Sequence, residues 1–436
     1  MATKSGYTNS AVVSVTYVQT VGAPAFSPGG SIPFAVQPRV TLTSPSSGVT
    51  IRYTLDGSDP VSSATAQTYS SPITISSTST LKAYATNGSV NSAVSEQVYT
   101  VTNGVTNLNA AISGNWTRIA VDPSDGRPFI LYQDLASPYQ QKVAKWSGSG
   151  WTALGAVSTG QGYDGTLLID RSDNKPVVVY TDLSNSYRVT AKKWSSGTTW
   201  VNLGTASSGT SSYLSAAMDS SNRPIVVFRD NADGLKNKVL RWQSGTTWSD
   251  MGTVAVGAYR SAIAVNSVGL VFIVASESSG SQRLQSFSWA GGTSWNNLGS
   301  VSADYMNGTA SVTMVIDPLS NLPYVYYQGS GSSEPGGMVK KWNGTTWQTI
   351  GSGAASTGSP RNIALDSTGT PYLVFTGSDP YASQVRKWTG AAWVDVGFLA
   401  TESNTFGWLA AGNAGKMYCI MDAPYTPANL AVLSIP

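Results

Sequence analysis

The 436-residue sequence has no histidine and a single cysteine, Cys419. The missing histidine excludes a Ser-His-Asp triad, a histidine general base and every histidine-containing metal site. One cysteine excludes an intrachain disulfide and a cysteine-only zinc site; inside Met-Tyr-Cys-Ile-Met it reads as a small buried hydrophobe. Charged residues make up only 11% of the chain, against the usual quarter. The net charge is +3, and Lys and Arg are scattered, so there is no electrostatic footprint for nucleic acid. No apolar run is long enough to span a bilayer, and the residues after Met1 are polar rather than an apolar leader. Nothing in the sequence asks for a metal or a cofactor.

In place of charge stand 44 glycines, 10% aromatic residues and abundant Ser, Thr and Asn, a composition suited to short strands joined by tight turns. The length exceeds one ordinary core and predicts two or three domains. Residues 2–18 align with 85–101, and both carry Asn-Ser-Ala-Val followed by an alternating strand. The first copy reads as the tail of a repeat whose front is missing. Residues 1–22 are therefore expected to be a remnant, and the chain a piece of a longer protein. The complete copy, 23–101, alternates as an antiparallel sheet, with turns at Asp56-Gly57 and Asp59-Pro60. Its residues Ile51, Arg52, Tyr53, Thr54, Asp56, Gly57, Ser58 and Pro60, then Pro72, Ile73, Leu81, Lys82 and Ala83, resemble the chitobiase/β-hexosaminidase C-terminal-like domain. The resemblance implies an immunoglobulin-like β-sandwich, an accessory that keeps company with extracellular carbohydrate-active modules and brings no active site of its own.

From residue 102 to 436 the chain repeats. The phrase KKWSSGTTWVNLG (192–204) recurs with variations, its first tryptophans at 146, 194, 242, 289, 342 and 388, a period of about 48 residues. Each unit holds an apolar strand ending in Asp or Asn, a second β-branched and aromatic strand, a third ending in the first Trp and a fourth starting at the second. This is the signature of β-propeller blades. Seven first strands can be counted against six phrases, and the last unit stops before its fourth strand. Residues 104–114 resemble that missing strand (200–209), so the prediction is a seven-bladed all-β propeller closed by an N-terminal strand at about 104–111. The phrase turn also resembles the Asp-box of sialidase-type propellers, with Ser195 where the aspartate would stand. Its regularity makes it an inter-blade staple rather than a ligand site. The aspartates after the first strands (Asp122, Asp170, Asp219, Asp317, Asp366) repeat too regularly to be catalytic and are expected to cap turns.

Functional residues should interrupt the repeat. The fourth-to-first and second-to-third loops share one face, which should carry Tyr163, Tyr213, Tyr259 and Tyr305. Two tryptophans fall outside the phrases, Trp116 and Trp408, in units that closure makes neighbours. Aromatic faces stack on sugar rings while carboxylates and amides accept hydroxyl protons. Arg118, Arg260 and Arg361 precede or open first strands and would pair with a carboxylate or with rim aspartates. The leading expectation is an extracellular or cell-surface, lectin-like, monomeric propeller that binds a polysaccharide or glycan. The alternative is a glycoside hydrolase using two rim carboxylates from Asp134, Asp164, Asp182, Asp230, Glu277, Glu402 and Asp422. A protein-binding adhesion module is the third reading.

Overall fold

The computed structural model describes residues 20–27, 29–30, 39–101, 106–108, 112–256, 259–277, 283–304, 311–330, 332–334, 336–351, 355–356, 358–377, 383–398, 406–422 and 431–435. Tyr305, Glu402, the Asp422 side chain and residues 1–19 of the expected remnant lie outside them. The chain divides into two compact units between Thr100 and Val101.

The first unit is a pair of antiparallel sheets. One joins Ala25–Ser27, Arg39–Thr43 and Ile73–Thr74; the other joins Gln67–Thr68, Thr50–Thr54, Ser79–Thr86 and Ser95–Tyr99. Alternation along Ser79–Thr86 turns Leu81, Ala83 and Ala85 inward, where they are buried with Val40, Leu42, Ile51 and Tyr99.

The second unit is a β-propeller whose described strands form seven four-stranded antiparallel sets. The first strands are Gly114–Val121, the later part of Trp151–Asp170, Ser211–Met218, Ser261–Val265, Val312–Ile316, Ser359–Leu365 and Phe406–Ala411, numbered here as blades 1 to 7. Trp151–Asp170 runs without a break from the fourth strand of blade 1 into the first strand of blade 2. Each first strand lies against the next, and the strand of blade 7 returns to that of blade 1. Blade 7 takes its fourth strand from Thr106–Asn107, which pairs antiparallel with Ala431–Ile435. Closure by the N-terminal segment leaves blade 7 with no open outer edge where Ala431–Ile435 is covered.

Burial explains why second strands read as unbroken apolar runs. In Lys175–Asp182, Val178 and Tyr180 pack into the core shared with blade 1, while Val177 and Val179 pack into the core shared with blade 3. The same arrangement recurs at every junction, including the seam, where Ile119, Ile130 and Tyr132 meet Tyr418, Ile420 and Val432. With both faces covered, no polar alternation is needed.

Candidate functional site

The tryptophan phrase is architectural. The second Trp of a phrase reaches back one blade: Trp200 Nε1 donates to Leu154 O (2.9 Å), Trp248 to Leu203 O (2.9 Å), Trp295 to Met251 O (2.7 Å) and Trp393 to Ile350 O (3.1 Å). The seam uses the same device, with Trp151 donating to Leu108 O at 3.2 Å. The first Trp closes its own turn, as Trp194 does on Gly197 O (3.0 Å). The aspartates after the first strands cap the neighbouring turns. Asp122, Asp170, Asp219, Asp317 and Asp366 each accept, at 2.9 Å, the N–H of the residue two positions on. All of these groups sit at first-to-second and third-to-fourth turns, which alternation along an antiparallel blade places on one face.

The opposite face carries a feature that the repeat alone does not show. At the start of the first strand in blades 1, 2 and 3 the pairing with the second strand slips by one residue. The residue at each bulge is non-glycine and left-handed: Trp116 (φ 53°), Asp164 (φ 51°) and Tyr213 (φ 56°). For a bulky aromatic this conformation is an outlier, and a bulge is a device that re-aims a side chain. Trp116 is 57% exposed, the most exposed tryptophan among the described residues. Neighbouring bulges are linked, since Asp164 Oδ2 accepts the Tyr213 N–H at 3.1 Å. Blade 6 has the same slip at Arg361, whose Nε donates to Thr376 Oγ1 at 2.9 Å. Tyr163 precedes the blade 2 bulge and is half-buried.

Next to Tyr213 lies a basic and aromatic cluster. The Tyr213 and Tyr259 rings meet edge to face, 5.8 Å between centroids. Arg229 stands over both, 4.7 Å from Tyr213 and 4.9 Å from Tyr259, and the Arg260 guanidinium lies 5.0 Å from Tyr213. Sequence reasoning missed Arg229. The signal was present: the residue before the second-strand acid is Gln133 or Thr181 in blades 1 and 2, and an arginine in blade 3.

Trp408 is placed differently from Trp116. It is half-buried against the seam core, and the Arg118 guanidinium covers its ring at 3.9 Å. Trp408 and Arg118 do meet across blades 7 and 1, as a cation–π pair.

Most of the described rim carboxylates are engaged within their own blades. Asp134 is ion-paired with Lys142 and accepts the Ala136 N–H. Burial pushes its pKa up, but the Lys142 and main-chain hydrogen bonds outweigh that and hold it below the usual carboxylate value. Asp182 caps Ser184 and takes the Tyr180 hydroxyl. Asp230 is 1% exposed, capping Ala232 and pairing with Lys238 at 3.4 Å. Glu277 accepts from Gln285 at 3.0 Å. Blade 5 repeats the theme with Glu334, which sequence reasoning did not single out: it is 4% exposed and pairs with Lys340 at 2.6 Å. Asp164, like Asp182, has no ion pair among the described residues; it accepts the Tyr213 N–H. The described residues hold no cluster of three potential metal ligands.

The family model of the chitobiase/beta-hexosaminidase C-terminal domain matches residues 28–100. Those residues carry that domain. In this chitobiase-type domain the Asp56-Gly57-Ser58 signature builds a turn. Asp56 Oδ1 accepts the Ser58 N–H (3.0 Å) and hydroxyl (2.5 Å), Oδ2 accepts from Thr65 (2.8 Å), and Gly57 supplies φ 75°. The Ser58 hydroxyl leads the bonds that lower the Asp56 pKa to about 2. No curated protein sequence matches the chain. Among solved structures, YCF48 bound to D1 peptide is similar at TM-score 0.50 and 10% identity, over 77% of this chain and 96% of that one. A PL25 ulvan lyase is similar at TM-score 0.49 and 12% identity, over 75% and 95%. The six-bladed β-propeller lectin of Aleuria aurantia is similar at TM-score 0.42 and 14% identity, over 65% and 95%. Identities this low speak to fold alone.

Proposed function

We propose that the propeller binds a glycan across the face bearing the bulges, along the arc from blade 1 to blade 4. The organisation proposed is a remnant at 1–22, the chitobiase-type domain at 23–101 and the propeller at 102–436, working as a monomeric binding module outside the cell or at its surface. One observation carries the reading. Three adjacent blades hold Trp116, Asp164 and Tyr213 in left-handed conformations at equivalent bulges, and the outermost aromatic is mostly exposed. Backbone strain of about 1–3 kcal/mol per residue persists where surrounding structure enforces it, and it gathers at binding sites. An exposed indole in the blade before a carboxylate and a phenol suits a pyranose, which stacks its C–H face and donates its hydroxyls.

The hydrolase alternative asks for two carboxylates facing each other, one of them kept protonated. The described rim acids support binding instead, because each of Asp134, Asp230 and Glu334 has a lysine partner within its own blade. Affinity electrophoresis through gels containing soluble polysaccharides tests the proposal. Trp116→Ala is expected to lose about tenfold or more in affinity, consistent with an aromatic contact of 1.5 kcal/mol or so. Trp116→Ala protein that unfolds like the native protein and binds as tightly would refute the placement. Reducing ends released from any of the polymers would favour the hydrolase, and capture of a protein without glycan binding the adhesion module.

A further inference from the structure

The Arg229 cluster points to the chemistry of the ligand. Arg229 donates Nε–H to Asn231 Oδ1 at 3.1 Å and otherwise lies on the Tyr213 and Tyr259 rings. Among the described residues no carboxylate is paired with it. The acids that follow it closely in the chain are committed elsewhere: Asp230 to Lys238 and the Ala232 N–H, and Asp233 to Lys236 and Lys238. A second guanidinium, that of Arg260, shares the Tyr213 ring. The rings offset only part of the cost of holding the Arg229 guanidinium without a counter-charge. An anion in front of Arg229 would offset the rest and accept its remaining N–H donors in a bidentate fork. Tyr259 is 42% exposed, so the cluster is open to solvent at one side.

We propose that Arg229, held on Tyr213 and Tyr259, forms an anion-selective subsite, and that the preferred glycan carries a carboxylate or sulfate on the residue bound at blades 3 and 4. Trp116 and Asp164 would take the neighbouring sugars through their rings and hydroxyls. The inference rests on the glycan-binding reading above and deepens it.

The test uses the full chain and three pairs of probes in affinity electrophoresis and titration calorimetry: polygalacturonate against its carboxyl-reduced polymer, alginate against its reduced polymer, and a sulfated galactan against its desulfated form. Native protein is expected to bind at least one charged member more than tenfold more tightly than its neutral partner, and to lose that preference at high salt. The uronate pairs and the sulfate pair tell the two sources of charge apart. Arg229→Gln is expected to reduce affinity for the charged polymer about 10- to 100-fold, the range for a charge-assisted hydrogen bond, and to shrink the preference for the charged over the neutral partner by a similar factor. Arg229→Lys should recover part of the affinity, because it restores the charge without the fork. Both variants are compared at matched thermal midpoints, and a variant that unfolds early is replaced by Tyr259→Ala, which should weaken binding of the charged polymer more than that of its partner. Equal binding of charged and neutral polymers by native protein would overturn the anionic subsite and leave the glycan reading standing. Failure of native protein to bind any of the six polymers would count against the glycan reading itself.

Discussion

Replacing Trp347 by Phe and Ser286 by Ala, singly and together, isolates the energy of one inter-blade staple. In the other staples described, the acceptor is a main-chain carbonyl that no substitution removes. Here the Trp347 indole N–H donates to Ser286 Oγ at 2.9 Å. Ser286 is 1% exposed, and its hydroxyl passes on to Gly299 O at 2.8 Å, so the two bonds form a relay between blades 5 and 4. Trp347→Phe removes the donor and keeps much of the ring, a loss of about 0.5–1.5 kcal/mol. Ser286→Ala leaves the half-buried indole N–H without its acceptor, a loss of about 1–3 kcal/mol. Once either partner is gone, removing the other costs less, so the double variant should fall short of the sum by about 0.5–1.5 kcal/mol. One kcal/mol moves the thermal midpoint of a unit this large by only about 1–2 °C. Urea unfolding followed by tryptophan fluorescence is therefore the better assay. A coupling energy below about 0.3 kcal/mol, within ordinary additivity, would refute the claim that the indole holds the blades together through this bond.

Acid should weaken the propeller before it touches the tryptophans. Burial pushes up the pKa values of Asp122, Asp170 and Asp317, but their hydrogen bonds with Lys145, Lys193 and Lys341 prevail and hold them below the ordinary value. A folded-state pKa lower than the unfolded one, near 4, contributes stability that is present above pH ~4 and is lost as pH falls through the folded value. Unfolding midpoints should be flat above about pH 5 and fall below about pH 4, with a shallower fall in Asp170→Asn. Deleting residues 1–100 should leave a cooperatively unfolding propeller. Deleting 1–111 removes the Thr106–Asn107 pairing and the Leu108 carbonyl that receives Trp151, and should lower the midpoint and cause aggregation in light scattering.

The architecture was legible because it is periodic. The interval between tryptophans, the strand that the last unit lacks and its likeness near residue 104 describe a closed ring without any coordinates. The turn-capping aspartates were legible for the same reason. The site was legible only in outline. Trp116 stood out by breaking the phrase, but its left-handed bulge depends on how many residues oppose Gln133 and Leu131 across the blade, a count no single strand contains. Trp408 stood out equally, yet Arg118 from the neighbouring blade covers it. The rim aspartates were read without their lysines, because Lys142 and Lys238 lie on the following strand and meet Asp134 and Asp230 only through hairpin register. Arg229 hid inside the strand Pro-Ile-Val-Val-Phe-Arg-Asp, which was read for its apolar run.

The staples have a consequence for how such a ring changes over time. In blades 2, 3, 4 and 6 the indole grips a main-chain carbonyl of the preceding blade, an atom that every residue type supplies. A joint that ignores side-chain identity lets neighbouring units drift apart in sequence without loosening. It also sits at the end of the blade away from the bulges. Each blade is therefore free to try new residues at its bulge, one unit at a time, and transplanting a bulge from one blade to another should alter what the ring recognises while leaving its assembly intact.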